Sequence, residues 1–319
     1  MNHRDRELLA AGPVVATMDK QFDEMWNSEW AIHVDALVSF KLSPDEVQKK
    51  YIGLRDYADD ETNRPYALPD HGEQQQLIDN WFDTATWAPA EFVYNPPVIT
   101  GGDEANGTVI ADHLIELLNA AQSEILVESA YFIISDELLQ QVAPLLEKNI
   151  SIRALTNSLA TTDVWTIHAG YTRNRKEIIR RAIGLYEFRP DAASCRRLVE
   201  NAQLECADFE FSLHAKSVVF DRKIVYVGSF NLNPRSRYLN TETARIVHSP
   251  ALAERIARDI EENMQPENSW RLLLNDAGQL EWHARTDGLD GVVTHEPETG
   301  LWMRIKSCIF SLFPVEKYL

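Results

Sequence analysis

The sequence predicts an α/β fold in which helices pack on both sides of a mixed central sheet. The first observation is the order of elements after residue 108, where β-rich and helical stretches alternate as strand, helix, strand, helix, strand. The second is a group of three further β-rich stretches between residues 212 and 242, which extends the predicted sheet.

The first hundred residues predict mainly helices. Residues 5–11 read as a short strand, and Gly12-Pro13 then opens a helix, because proline is favoured in the first helical turn. The remaining elements of this part are a helix capped by Ser43, a polar helix ending near Phe82, a strand at residues 87–94 and a loop at residues 101–103.

Regular alternation begins at residue 108. Apolar residues at helical spacing predict a helix at residues 109–118, and Ser135 fits the cap position of a leucine-rich helix. The other predicted elements are strands at residues 124–132, 150–156 and 183–188, a basic helix at 173–181 and a helix at 251–264.

The C-terminal residues 301–313 predict an amphipathic helix. Its apolar stripe either packs on the domain or lies in a membrane interface, and the sequence leaves both readings open. The stripe comprises Leu301, Ile305, Cys308, Ile309 and Leu312.

Composition limits the class of partner. The chain has 319 residues and a formal net charge of −18, which opposes non-specific binding to nucleic acid or to an anionic bilayer. Its three cysteines, Cys195, Cys206 and Cys308, have no regular spacing and predict reduced thiols in a cytoplasmic protein. No apolar run is long enough to span a bilayer, and the N-terminus lacks the apolar core of a signal peptide.

The residues that carry chemistry lie between Ser212 and Glu242. In a strand, alternate side chains share a face, so His214 and Lys216 are expected to point the same way. A turn at Asp221 would return the chain and bring up two more polar groups, Ser229 and Asn231. An ammonium, an imidazole and two neutral hydrogen-bonding groups suit a phosphate diester. Glu242 is predicted to orient the ring of His214.

These residues carry a resemblance to a known family. The spacing His-x-Lys-x4-Asp-x6-Gly-Ser-x-Asn at residues 214–231 matches the HKD motif of the phospholipase D superfamily at each defined position. The resemblance implies an α-β-α sandwich repeat with a mixed central sheet. It also implies catalytic roles for His214, Lys216, Asp221 and Glu242 and substrate binding by Ser229 and Asn231.

The N-terminal 30 residues resemble the segment that follows the first HKD motif in two-motif enzymes of this superfamily, in particular the bacterial type C cardiolipin synthases. This resemblance divides the chain into a remnant of a first repeat at 1–40, a connection at 41–107, a catalytic domain at 108–265 and a C-terminal extension at 266–319. Three further stretches resemble these synthases. The stretch at 129–132 is expected at the wall of the active site, and those at 156–159 and 168–171 place Asn157 and His168 at the substrate, with His168 in a long loop.

The family's reaction uses two imidazoles. One attacks phosphorus and forms a phosphohistidine, while the other protonates the leaving alcohol, and lysines neutralise the phosphoryl charge without a metal or cofactor. His214 resembles the second-motif histidine and is therefore the expected acid and base. The implied substrates are phosphatidylglycerol and phosphatidylethanolamine, at a site that is cytoplasmic or peripheral at the inner membrane.

The sequence departs from the two-motif family because it contains a single HKD motif. Three alternatives stay open: a phosphatidyltransferase fragment that needs its missing N-terminal half, a homodimer in which each copy supplies one motif, or a phospholipid-binding protein without turnover. The dimer reading includes nucleases of this superfamily, but the acidic balance makes nucleic acid an unexpected partner.

Overall fold

The computed structural model describes residues 2–38, 42–63, 69–97, 109–197, 199 and 211–313. The strands are β1 (Asn2–Arg4), β2 (Ala90–Tyr94), β3 (Glu124–Ser129), β4 (Ser151–Asn157), β5 (Gly184–Phe188), β6 (Phe211–Leu213), β7 (Lys216–Phe220), β8 (Ile224–Gly228), β9 (Thr243–His248), β10 (Ser269–Leu274), β11 (Leu280–Thr286) and β12 (Leu289–Val293). The helices are α1 (Val14–Trp26), α2 (Val34–Leu37), α3 (Pro44–Asp59), α4 (His71–Asp83), α5 (Val109–Ala120), α6 (Asp136–Glu147), α7 (Trp165–Arg180), α8 (Pro234–Tyr238), α9 (Pro250–Asn263) and α10 (Leu301–Phe310).

A mixed sheet organises the described residues. Ten of the strands pair in the order β12-β11-β10-β5-β4-β3-β7-β8-β9-β2. The strands β3, β4 and β5 run parallel, and β7 joins β3 antiparallel. The parallel strands follow from their helical crossovers through α6 and α7, whereas the tight turn between β7 and β8 makes an antiparallel pair. The predicted fold class is confirmed.

Helices cover both faces of the sheet, because its central strands are apolar on both sides. On one face, Ile125, Val127 and Val218 pack under α5, α6 and α7. On the other, Leu126 and Val219 pack against α9. The alternation along β3 and β7 therefore feeds two separate apolar layers, as an α-β-α sandwich requires.

The predicted N-terminal strand at residues 5–11 is wrong in position. The strand β1 ends at Arg4 and pairs in parallel with β6, which is itself three residues long. At its end, the N–H groups of His214 and Ala215 both donate to the carbonyl of Arg4, at 2.8 and 3.1 Å. Pairing stops there because the partner chain turns into β7.

The predicted loop around His168 is a helix. Helix α7 begins at Trp165, not at the basic stretch near residue 173, and buries Ile167, Tyr171 and Ile178 along one face. The N-cap residue Val164 makes no side-chain capping hydrogen bond. The start of this helix therefore lacks the local signal that Ser135 gives to α6.

The edges of the sheet come from outside the predicted catalytic domain. Strand β2 pairs with β9, and β10 pairs with β5, followed outward by β11 and β12. Residues assigned to the connection at 41–107 and to the extension at 266–319 thus continue the same sheet. The division of the chain into four parts stays a prediction.

The cysteine prediction is wrong for Cys195, which is disulfide-bonded. Cys308 is a free and exposed thiol. Cys206 and the predicted loop at 101–103 lie outside the described residues. Among the helices of the described residues, none combines the length and the apolarity that crossing a bilayer requires.

The N-terminal helices present apolar side chains to solvent. Helices α1, α2 and α3 contain no buried residue, and Trp26 and Leu54 are 69% and 70% exposed. Exposed apolar patches of this kind are typical of surfaces that contact another protein or a membrane.

Asp221 stabilises the turn between β7 and β8. Its carboxylate accepts backbone N–H groups from Gln122, Ser123 and Glu124, at distances from 2.7 to 3.1 Å, and the hydroxyl of Ser123. Burial opposes ionisation, but these hydrogen bonds outweigh it and lower the pKa of Asp221. The carboxylate therefore connects the hairpin to the start of β3.

Asp221→Ala is expected to lower the free energy of unfolding by about 1–3 kcal/mol at pH 7, because it leaves backbone N–H groups without their acceptor. Urea denaturation measures the change. Since the pKa of Asp221 is lowered on folding, the gap from wild type should shrink as the pH falls below about 4.

The matched control is Asp287→Ala, which removes an aspartate with the same positive φ from the exposed turn between β11 and β12. The φ values of Asp221 and Asp287 are 52° and 51°. Equal destabilisation by both variants would show that backbone strain, and not the hydrogen bonds, sets the effect.

Candidate active site

His214 and Lys216 lie where β6 passes into β7. Lys216 is the first residue of β7 and is 5% exposed, while the side chain of His214 is 40% exposed. The Lys216 ammonium donates to the carbonyl oxygen of His214. The ammonium therefore contacts the backbone of His214, and both side chains act electrostatically on Asp5.

Asp5, and not Glu242, holds the ring of His214. The Nδ1 atom of His214 lies 2.7 Å from a carboxylate oxygen of Asp5. Burial opposes ionisation of Asp5, but the hydrogen bonds from His214 and from the Arg6 N–H, together with nearby positive charge, lower its pKa. An ionised Asp5 at Nδ1 leaves Nε2 of His214 as the free atom of the ring, which is the geometry of an oriented imidazole.

The carboxylate of Asp5 is held in place by its neighbour Arg6. The Arg6 guanidinium pairs with Glu128 at 3.1 Å, and the Glu128 side chain is fully buried. Ser217 donates to the same carboxylate at 3.0 Å. The N-terminal segment is thereby joined to β3 and β7 beside the site.

Glu242 orients Ser229 instead of His214. The hydroxyl of Ser229 donates to one oxygen of Glu242, and the amide of Asn240 donates to the other at 3.0 Å. The backbone of Thr243 donates to the Ser229 hydroxyl at 2.9 Å. The predicted pair of Glu242 and His214 is wrong, because Nδ1 of His214 binds Asp5 while Glu242 binds Ser229 and Asn240.

Gly228, the glycine of the motif, permits this arrangement. A Cβ at this position would lie 2.4 Å from the carbonyl oxygen of Thr243. Strands β8 and β9 can therefore approach closely enough for Ser229 to reach Glu242 only when the residue before Ser229 is glycine.

Asn157 holds the backbone just before the motif. Its amide donates to the carbonyls of Ala130 and Leu213, at 3.1 and 2.7 Å, and its oxygen accepts the N–H of Leu213 at 2.9 Å. The donors and the acceptor of this buried side chain are thus used within the protein. Asn157 thus binds the backbone of Leu213, the residue before His214. It supports the chain there and has no free group for a substrate.

Asn231 lies at the wall of the site. It is 8% exposed, and its side-chain oxygen accepts the N–H of Tyr131 at 3.3 Å. Its own N–H donates to Ser236 of α8 at 3.2 Å. This bridge fixes the segment after β3 against the segment after β8.

Two predicted site residues make contacts that are structural. Asp221 sits at the other end of β7, five residues from Lys216 and thus about 17 Å along the strand. His168 is buried in α7, where its ring packs on Tyr171 and its Nε2 lies 3.7 Å from Glu296. The two contacts of His168 are therefore with a residue of its own helix, Tyr171, and with Glu296 of the C-terminal segment.

Three residues of the site were not predicted. Asp5 is described above, and the ring of His3 lies 5.3 Å from that of His214 while its Nδ1 contacts Ser212 at 2.7 Å. Asp163 accepts the hydroxyl of Tyr131 at 3.0 Å and acts electrostatically on Lys216. The sequence held one signal for Asp5. Glu242 is a carboxylate that follows the HKD motif, and Asp5 is a carboxylate in the segment that resembles the one after a first HKD motif.

Burial determines the charge state of Lys216. Desolvation lowers the pKa of Lys216 to about 8, and the negative charges of Asp5, Glu242 and Asp163 oppose this shift only in part. Three carboxylates therefore act electrostatically on one ammonium in this part of the site. A phosphate diester is itself an anion, so further positive charge would favour its binding there.

Residues 114–264, which include all of the motif, match the family model described as "Cardiolipin synthase, PLD-like domain". The match covers a little under half of the chain, and it agrees with the fold of the sheet and with the position of the HKD motif. Among curated proteins, the chain is similar to cardiolipin synthase C of Escherichia coli K12, with 28% identity over 98% of this chain.

Other relatives cover the chain to a similar extent. An uncharacterized protein of Helicobacter pylori J99 is 25% identical over 95% of this chain. Among solved structures, phosphatidylserine synthase of Haemophilus influenzae matches 95% of this chain with a TM-score of 0.52 at 14% identity, which supports the fold. The chain spans 65% of the length of the E. coli relative and 58% of the H. pylori relative.

The lowered pKa of Lys216 is open to direct measurement. In NMR spectra of protein carrying ¹³C-labelled lysine, one side-chain resonance should titrate with a midpoint near pH 8 and be missing in Lys216→Arg. The reason is burial, which disfavours the ammonium form. Lys176→Arg, which changes an exposed lysine bound to the Gly278 carbonyl, should leave that resonance in place. A Lys216 resonance that titrates above pH 10 would contradict the proposed environment.

Proposed function

We propose that this chain acts on phosphodiester bonds of phospholipids as a phosphatidyltransferase of the cardiolipin synthase type. The observation that carries the proposal is the oriented imidazole beside the buried ammonium, with Asp5 at 2.7 Å from Nδ1 of His214. An imidazole held in this way can give a proton through Nε2 to a leaving alcohol and later take one from an acceptor.

The proposed roles follow from these contacts. His214 is the acid and base, Lys216 binds a phosphoryl oxygen, and Ser229 and Asn231 line the oxygen site. Asp5 orients His214, Glu242 orients Ser229, and Asn157 holds the chain beneath them. Asp221 and His168 are left without a catalytic or substrate role in this proposal, because their contacts are structural.

The covalent step needs a second imidazole. The Nε2 of that ring attacks phosphorus, the bond to the leaving alcohol breaks, and His214 gives this alcohol its proton. An acceptor hydroxyl then attacks the phosphohistidine while His214 takes its proton. With the glycerol hydroxyl of phosphatidylglycerol as acceptor the product is cardiolipin, and phosphatidylethanolamine is the proposed donor.

We propose that the second imidazole arrives with its own ammonium, from a second copy of this chain or from a further segment of the protein. The three carboxylates that act on Lys216 support this, because a second cation would offset their repulsion of a phosphate. His3 offers a ring at 5.3 Å but no ammonium. The exposed apolar side chains of α1 to α3 fit the same proposal, since they offer a surface for that partner.

The membrane contact is proposed for α10. Its inward side carries Arg304, the buried Ser307 and Phe310, and Phe310 packs edge-on against Trp165 of α7. Its predicted apolar stripe faces solvent, together with Trp302, which is 75% exposed. A helix docked by its polar side with an apolar side outward suits a membrane interface.

A leaving-group comparison tests the role of His214. His214→Ala should lower turnover of a phospholipid by about 10²–10⁴-fold, but it should change turnover of bis-p-nitrophenyl phosphate much less, because nitrophenolate leaves without a proton. His283→Ala, which alters a half-buried histidine near Glu281, is the matched control. Equal loss on both substrates would contradict acid catalysis by His214.

The oligomeric state separates the two sources of the second imidazole. An active dimer in size-exclusion chromatography would support a second copy, whereas an inert monomer that gains activity with an added N-terminal repeat would support a further segment. Lipid binding without turnover in any of these states would contradict the enzyme proposal and support a binding protein.

Membrane contact through α10 is tested by sedimentation with anionic phospholipid vesicles. Trp302→Ser should reduce the bound fraction severalfold, because it removes a large apolar ring from the proposed interface. Trp87→Ser is the matched control, since Trp87 is also 75% exposed but lies before β2. The same reduction in both variants would indicate non-specific adhesion and exclude α10 as the contact.

A further inference from the structure

A cavity lies between the sheet and the two helices α5 and α6. Its volume is about 170 Å³, and its floor is made by Ile125 and Val127 of β3 with Val218 and Phe220 of β7. Nearly all of its lining side chains are aliphatic or aromatic. An apolar space of this kind does not hold water well, because water finds no polar partners there.

The cavity begins beside the candidate active site. Val218 and Phe220 share a face of β7 with Lys216, and the paired residues on β3 are Val127 and Ile125 next to Ser129. The cavity floor therefore starts two residues along each strand, or about 7 Å, from the pair formed by Ser129 and Lys216. A ligand with a polar group at Lys216 can direct an apolar group along the same face.

The segments that form the wall of the site also line the cavity. Phe132 follows Tyr131, and Phe230 stands between Ser229 and Asn231; both phenylalanines are buried and face the cavity. The same two segments are bridged by Phe132 and Leu232. Polar groups for a phosphate and apolar groups for a hydrocarbon thus alternate along one stretch of chain.

The lining of the cavity also includes half-buried apolar residues and a cation. Ile115 of α5 and Leu138 of α6 are half-buried members of the lining. Arg237 of α8 also lines the cavity, stacks on Tyr238 and lies 3.9 Å from Glu137. Its Nε has no hydrogen-bond partner among the described residues. A guanidinium within an apolar lining complements a ligand that joins a negative charge to a hydrocarbon chain.

We propose that this cavity binds the first part of an acyl chain of the phospholipid. The inference rests on the proposed function and names the part of its substrate that the phosphate site does not recognise. An engineered cavity of about 150 Å³ binds benzene, so a cavity of about 170 Å³ accommodates roughly six carbon atoms of a chain. The remainder of the chain stays outside the cavity.

The first test measures binding without turnover. The full chain is titrated with 11-(dansylamino)undecanoic acid, and the probe is displaced by phosphatidylglycerols of increasing chain length below their micelle concentrations. Affinity should rise by up to about fourfold for each added methylene, since each buried methylene is worth about 0.8 kcal/mol, and should level off after roughly six carbons. No saturable binding, or affinity independent of chain length, would overturn the proposal.

The second test fills the cavity from either helix. Ile115→Trp on α5 and Leu138→Trp on α6 should each weaken probe binding at least about tenfold, which corresponds to the loss of about two buried methylenes. The matched controls are Leu117→Trp and Leu146→Trp, which change half-buried leucines of the same helices that do not line the cavity. Equal weakening by the controls would overturn the assignment.

The two proposals fail in different ways. Turnover of bis-p-nitrophenyl phosphate without any chain-length-dependent binding would reject the acyl-chain cavity and retain the phosphodiester site. Chain-length-dependent binding without turnover of any diester would reject the proposed function and retain the cavity.

Discussion

The junction between β6 and β7 is the constraint on which the candidate site depends. Its backbone is held from two sides: the carbonyl of Arg4 accepts the N–H groups of His214 and Ala215, and Asn157 binds both backbone groups of Leu213. Without these bonds His214 would sit on a free loop in front of Lys216, the first residue of β7. With them, His214 and Lys216 are fixed relative to both the N-terminal segment and the carboxyl end of β4.

Charge is the second constraint. Buried carboxylates in this protein have nearby cations: Glu128 binds Arg6, and Glu187 binds Arg175, which also pairs with Glu296. The Glu187 side chain additionally accepts the hydroxyl of Tyr171 and the indole N–H of Trp282. The surroundings of Lys216 differ from these pairs, because three carboxylates act on one partly desolvated ammonium. Such an excess is costly in a purely structural position and is common where a site awaits positive charge or a ligand.

Particular elements show why sequence reasoning succeeded in some places and failed in others. The helix after Ser135 and the hairpin at Asp221 were predicted because caps, turns and alternation are local signals. Helix α7 was misplaced because its N-terminal turn lacks a capping side chain. The partner predicted for Glu242 was wrong. Glu242 binds Ser229 and His214 binds Asp5, and the spacing of residues along the chain does not encode either contact.

The sequence by itself determined the α/β class, the position of the HKD motif and the resemblance that the motif carries, because residue type and local spacing hold that information. The tertiary structure alone decided which carboxylate meets His214, that Lys216 is desolvated, that Asn157 and Asp221 support the backbone, and that an apolar cavity adjoins the site. Each of these depends on contacts between residues far apart in the chain, such as the 209 positions that separate Asp5 from His214. Only the packed sheet and its helices bring such residues within hydrogen-bonding or van der Waals distance.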